Sequence, residues 1–150
     1  MAYLVLDKQY GFTFISKDLE EFKSQHPGAE GYIAGILGYA IEISNEDFVA
    51  LQTGQKDFVS YDGTTVTYRD ATRSFETKEK LDSEINLIKS LIDEIIKRKG
   101  NASSQATRLS AYKAVLESLD TSTINYPLNS SLEKYLLDNG HEVISTLQLV

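Results

Sequence analysis

The amino-acid sequence predicts an α+β protein: a small strand- and hairpin-rich N-terminal part, then a helical hairpin, then a C-terminal short helix and strand. Three observations predict it. Most of the glycine, tyrosine and phenylalanine lies before Arg73. Two β-prone runs, 58–61 and 64–68, flank Asp62-Gly63, the pattern of a hairpin. After Arg73 apolar residues recur at helical spacing, most regularly at Leu81, Ile85, Ile88, Ile92 and Ile95. The parts are expected to span 1–72 and 73–150.

Residues 3–6 and 12–15 are short strand candidates. Asp18 opens a short helix, with Glu21 three residues on in a capping-box pattern, and His26-Pro27-Gly28 ends it. Gly31, Gly35 and Gly38 punctuate an apolar stretch. No Lys-Ser or Lys-Thr follows them, so the stretch reads as a turn-rich buried segment and not as a nucleotide loop. Residues 39–43 form a strand, Ser44 caps a helix over 45–53, and Gly54 stops it. A two-residue turn at Asp62-Gly63 would pair Val59 with Val66 and Tyr61 with Thr64. One face of that hairpin then carries Val59, Tyr61, Val66 and Tyr68 and needs cover.

Residues 75–99 read as one long helix. Its isoleucine seam resembles a coiled coil, widened by Leu87, Leu91 and Ile96. Acidic residues lie early and Lys97, Arg98 and Lys99 last, matching the helix dipole. Gly100 stops it. A second helix over 105–119 carries Leu109, Tyr112, Leu116 and Leu119, and the short connection makes the two antiparallel neighbours. The seam outruns this neighbour by roughly 10 residues, or about 15 Å at helical rise. The excess is expected to serve an oligomer contact or a partner. Ser130 and Glu133 suggest a capping box for a short helix ending at Gly140, and 143–150 reads as a strand.

At 150 residues the chain can bury a core without staples. It has no cysteine, so thiolate metal sites and disulfides are excluded, and its two histidines, His26 and His141, lack metal-ligand spacing. Both sit at turns and are expected to be exposed. A formal net charge of −7 argues against nucleic-acid and anionic-membrane partners. No apolar run has membrane-spanning length, and the N-terminus lacks a basic region ahead of an apolar one. The protein is therefore expected to be made in a cytoplasm, and to leave it only within a particle. No Gly-x-Ser-x-Gly elbow or calcium-loop pattern occurs, and paired acids such as Glu20 with Glu21 read as solvated helix faces. The expectation is a non-enzyme without cofactor or metal. Tyr10, Tyr32, Tyr39, Tyr61 and Tyr68 are either core residues with bonded hydroxyls or interface residues. Candidate partner-binding residues are Val59, Tyr61, Val66 and Tyr68 on the hairpin and Leu81, Ile85, Ile88 and Ile92 on the seam.

In order along the chain stand Ile43-Ser44, Glu46-Asp47, Leu51, Gly54-Gln55 and Asp62-Gly63. This segment resembles the phage tail-fibre assembly (chaperone) family. Tyr112 with Leu116, and the later Tyr126-Pro127-Leu128-Asn129, resemble the endings of phage tail proteins. The ordered match covers about residues 39–69. The chain departs from the family in lacking a proline after the hairpin turn and tryptophans near its end. The resemblance implies a protein that helps a tail fibre fold, binds it in the host cytoplasm during assembly, and in some cases stays in the virion. Two other functions fit the composition: a structural component of a phage tail or contractile injection particle, and an acidic inhibitor of a host nucleic-acid enzyme.

Overall fold

A computed structural model describes the chain except residues 10, 27, 72, 101–103, 146, 147, 149 and 150 and the side chains of 12, 13 and 104. The fold is α+β, with strands and a hairpin ahead of helices. It comprises two compact units, Met1–Ala71 and Thr72–Leu149.

In the first unit, β1 (Ala2–Asp7) is the middle strand of an antiparallel sheet, with β2 (Gly11–Ser16) and β3 (Gly38–Ile43) on either side. A middle strand covered on both faces needs apolar residues in both parities, and Ala2, Leu4, Val5 and Leu6 are all buried. Val5 pairs with Phe14, and on that face they meet Phe22 of α1 (Leu19–Gln25) and Ala29 and Tyr32 of α2 (Ala29–Ile33). Leu4 and Ile15 pair on the opposite face and are also fully buried. A third helix, α3 (Asn45–Gln52), packs against β1 and β2.

Local chemistry sets these boundaries. The Asp18 carboxylate accepts from the Glu21 amide at 2.8 Å, and the Glu21 carboxylate accepts in return from the Lys17 amide. The Ser44 hydroxyl accepts from the Asp47 amide at 3.0 Å. Gly38 lies so close to β1 that a Cβ there would sit 1.8 Å from the Leu6 carbonyl oxygen. The expected turn-rich segment contains α2, a helix the glycines conceal. It forms because Ala29 and Tyr32 are buried and the Tyr32 hydroxyl donates to Asp7 at 2.7 Å, tertiary contacts that override weak propensity.

The second unit is built on α4 (Lys78–Lys99) and α5 (Ser104–Ser118). Lys99 donates to Gln105 at 2.7 Å and Lys113 to Asp93 at 2.7 Å, so the helices run antiparallel. Lys113 opposite Asp93 puts the end of α5, five residues on, level with Ile88. Leu81 and Ile85 thus lie beyond α5, as the seam length predicts. They are nonetheless buried, and this overturns the expectation of leftover apolar surface. A 3-10 turn (Thr121–Thr123) reaches the start of α4, where the Thr121 hydroxyl donates to Asp82 at 2.6 Å. Phe75 and Leu128 exchange backbone hydrogen bonds at 2.8 Å. Leu132 and Leu136 of α6 (Leu132–Asp138), with Ile124, Val143 and Ile144, complete the cluster around Leu81, Ile85, Ile88, Ile92 and Ile95. The chain covers its own seam.

Three boundaries differ from expectation. The long helix starts at Lys78 and not at residue 75, because the Thr77 hydroxyl caps it by accepting from the Lys80 amide at 3.3 Å and Phe75 bridges to Leu128. The cap of α6 is Ser131, whose hydroxyl accepts from the Lys134 amide at 3.1 Å, while the Ser130 hydroxyl donates to the Ser131 carbonyl. The C-terminal segment is not a strand where it is described. The Ser145 amide donates to the Gln148 side chain at 3.1 Å and the Gln148 amide to the Ser145 carbonyl at 3.0 Å, which closes a turn where a ladder was expected. Residues 146, 147, 149 and 150 of that expected strand lie outside the described residues.

Half-buried Glu133 is pushed above the usual carboxylate range, chiefly by burial and also by the charge of Glu84. Burial likewise raises the Tyr112 hydroxyl, with the Glu133 charge adding to it. That hydroxyl has no hydrogen-bond partner among the described residues.

Ile88→Asp is expected to cost several kcal/mol because Ile88 is fully buried, while Lys89→Asp should stay within about 1 kcal/mol. Chemical denaturation of the two variants checks this, and equal losses would contradict the α4 packing. Glu133→Gln should raise the thermal midpoint at neutral pH. The folded state favours the neutral acid, so the penalty is absent in acid, where the carboxyl is protonated folded and unfolded. It grows as pH rises through the ordinary carboxylate range. The advantage of the glutamine should therefore vanish on acidification, as thermal melts across pH would show.

Candidate partner-binding surfaces

The hairpin comprises β4 (Lys56–Tyr61) and β5 (Val66–Asp70), and its register differs from the expected one. A two-residue turn with positive φ at both centres would need Asp62 in the left-handed region. Only Gly63 adopts positive φ, at 98°, and no described non-glycine residue does. The Asp62 carboxylate instead accepts from the amides of Thr64 at 2.8 Å and Thr65 at 2.7 Å, forming an Asx turn. Those bonds hold its pKa below the usual value, the Thr65 amide contributing most. The loop is consequently four residues long, and Tyr61 pairs with Val66, not with Thr64.

A register shift between Phe58 and Ser60 places Val59 in a bulge. Phe58 opposes Tyr68, so the half-buried face carries Phe58, Tyr61, Val66 and Tyr68. Val59 is thrown outward at 49% exposure. The extra residue reverses side-chain parity, which sequence alternation alone could not reveal. The tyrosines already have partners within the unit. Tyr61 packs against Tyr39 at 5.6 Å and donates to the Gly63 carbonyl at 2.9 Å. Lys56 lies 5.4 Å over the Tyr68 ring and pairs with Asp47 at 3.2 Å. Burial, aided by Asp47, raises the Tyr68 hydroxyl. Tyr10, expected to be a core or interface residue, lies outside the described residues.

The structure separates the two groups of candidate residues. Leu81, Ile85, Ile88 and Ile92 are core residues of the second unit, between 0% and 6% exposed, and present no surface to a partner. Among the hairpin candidates Val59 is the exposed one, with Tyr61, Val66 and Tyr68 half-buried.

A run of exposed apolar residues of the first unit lies elsewhere, at Ile33, Ile36, Leu37 and Tyr39, with Ile36 at 72%. Its geometry follows from the end of α2. Gly35 turns at φ 76°, and the amides of Ile36 and Leu37 both donate to the Gly31 carbonyl, at 2.9 and 3.1 Å. The Lys8 amide ties this turn to β1 through the Leu37 carbonyl at 3.0 Å. A Cβ on Gly31 would lie 2.6 Å from Leu37 Cδ1, so the missing side chain lets Leu37 fold back while Ile36 projects. Lys8 sits 5.8 Å over the Tyr39 ring at the rim. The legible signal is that residues 31–41 carry no charge at all, in a chain with 25% charged residues. That run reads as buried, because exposure of so many apolar residues is unusual in a monomer.

An open groove of about 550 Å³ runs between α3 and the hairpin, lined by Asn45, Glu46, Val49, Gln55, Lys56 and Asp70. It holds no histidine or hydroxyl nucleophile. His26 is not exposed as expected. It is half-buried, stacked on Phe14 at 5.3 Å and edge-on to Tyr32 at 5.2 Å, and its Nδ1 accepts from the Gly28 amide at 3.0 Å. His141 is exposed. Among the described residues no three His, Asp or Glu side chains form a metal-binding group, and no helix is long and apolar enough to cross a membrane. The chain matches no protein-family model, no curated protein and no solved structure.

The observed register makes a specific prediction. Phe58→Ser should destabilise the first unit by about 1–3 kcal/mol, because it removes half-buried apolar surface. Val59→Ser at the exposed bulge should cost under about 1 kcal/mol. Denaturation of both variants checks the ordering, and the opposite ordering would support the two-residue turn.

Proposed function

We propose that this chain is a non-enzymatic interaction protein that acts as a bacteriophage tail-fibre assembly protein or adaptor, binding the fibre through apolar surface on its first unit. The observation that carries the reading is the exposed cluster of Ile33, Ile36, Leu37 and Tyr39. Exposed apolar surface of this kind marks protein contacts more often than solvent-facing chance. Val59, at the hairpin bulge, is a further exposed apolar residue of the same unit. The fibre as partner comes from the resemblance over residues 39–69. The residues matched there are chiefly structural: Ser44 caps α3, Gly54 follows it at φ 70°, and Asp62 closes the hairpin loop. The matched positions would thus preserve a scaffold, while binding falls to the apolar residues around it. In this reading the protein works in the host cytoplasm during assembly. A protein kept in the particle as a structural tail component would use the same surface.

One observation favours a second reading, an acidic inhibitor of a host nucleic-acid enzyme. Charge is unevenly divided: residues 1–71 carry eleven acidic and five basic side chains, and residues 72–150 eleven and ten. An acidic unit of this kind can compete for a basic nucleic-acid cleft.

Co-expression with a tail fibre encoded beside it should yield a co-eluting complex, or a fibre soluble only in its presence. Ile36→Asp should abolish co-elution while leaving the thermal midpoint unchanged, because Ile36 is already solvated. A fibre that folds and trimerises equally well alone, with the chain eluting apart from it, would refute the fibre reading. Binding to a nucleic-acid enzyme would then be the measurement to make.

A further inference from the structure

We propose that the chain associates with a second copy of itself through the outer flank of α4, as a weak antiparallel dimer centred on Leu87. The long helix exposes a leucine away from its covered stripe. The seam from Leu81 to Ile95 is covered within the unit, but Leu87, expected to widen that seam, is 57% exposed, and Leu91 beside it is only half-buried. A leucine standing out of the middle of a helix that otherwise sorts its side chains by polarity is the anomaly to explain.

The residues around Leu87 are self-complementary. Lys80 lies seven residues before it and Glu94 seven residues after. Seven residues bring a helix back to nearly the same side, about 10 Å along the axis. The flank therefore reads basic, apolar, acidic. A two-fold axis at Leu87 places each leucine against its copy and Leu91 against the small, exposed Ser83 of the other chain. It also sets Lys80 against Glu94 at both ends. Glu76 already pairs with Lys80 at 3.2 Å, and both are well exposed. A parallel arrangement would instead oppose lysine to lysine and glutamate to glutamate, a destabilising pattern. Charge thus selects both the partner, a second copy, and its direction.

The contact is a single helix flank. It falls short of the roughly 800 Å² per partner of a standard interface, so association should be weak, with a Kd on the order of tens of micromolar.

Sedimentation velocity over roughly 5–500 µM should show the 16.8 kDa monomer passing toward a dimer as concentration rises. Leu87→Glu should leave the protein monomeric throughout, with an unchanged thermal midpoint. Lys80→Glu should weaken the dimer about tenfold, and the double variant Lys80→Glu, Glu94→Lys should recover it, since the exchange preserves the antiparallel pairs. A wild-type protein that stays monomeric at every concentration would overturn the proposal. So would a dimer indifferent to Leu87→Glu, or a double variant no better than the single one. The fibre reading is tested by Ile36→Asp on the other unit, so failure of one leaves the other standing.

Discussion

The apolar stripe of α4 is the constraint on which the second unit depends. Five residues, from Leu81 to Ile95, must leave water together because they occupy one side of one rigid helix. A single antiparallel helix of 15 residues cannot cover a helix of 22. The remainder of the chain resolves that mismatch. Ile124 after the 3-10 turn, the Phe75–Leu128 bridge, α6 and the Val143–Ile144 segment are short or irregular pieces, yet each contributes apolar atoms to the same cluster. None would be stable alone, since short helices and single bridges do not repay their ordering entropy in water. Their order follows from the length of α4.

The first unit obeys a different rule. Its middle strand is buried on both faces, so residues of both parities had to be apolar and small enough for close approach. Gly38 is where this constraint is sharpest, with the Leu6 carbonyl occupying the space a side chain would need. On one face, Phe14, Phe22, Tyr32 and His26 form a continuous set of ring contacts. This accounts for a histidine and a tyrosine that could otherwise suggest acid–base chemistry. The imidazole accepts from a backbone amide and the phenol donates to Asp7, so their polar atoms serve the fold.

The two units leave different surfaces exposed. The first is acidic with a neutral apolar projection at the end of α2. The second is nearly balanced in charge, with a leucine on the outer flank of α4. The groove beside α3 is lined by the charged side chains Glu46, Lys56 and Asp70, and among the described residues no three His, Asp or Glu side chains form a metal-binding group. The proposed function rests on the apolar exposure of the first unit.

By itself the sequence determined the fold class, the sheet strands, the caps at Asp18 and Ser44 and the buried stripe of α4. These depend on local spacing and on hydrogen bonds between near neighbours, so they can be read within a window of a few residues. What it could not determine was which apolar residues end up covered. The stripe looked too long for its neighbour, and only the tertiary structure shows distant, irregular segments folding back over it. The uncharged run at 31–41 looked buried, yet Gly35 and the Gly31–Leu37 contact turn Ile36 into solvent. Val59 and Phe58 exchanged roles through one bulge. Exposure is a property of everything packed around a side chain, and a single inserted residue reverses parity, so both were decided by contacts between residues far apart in the chain.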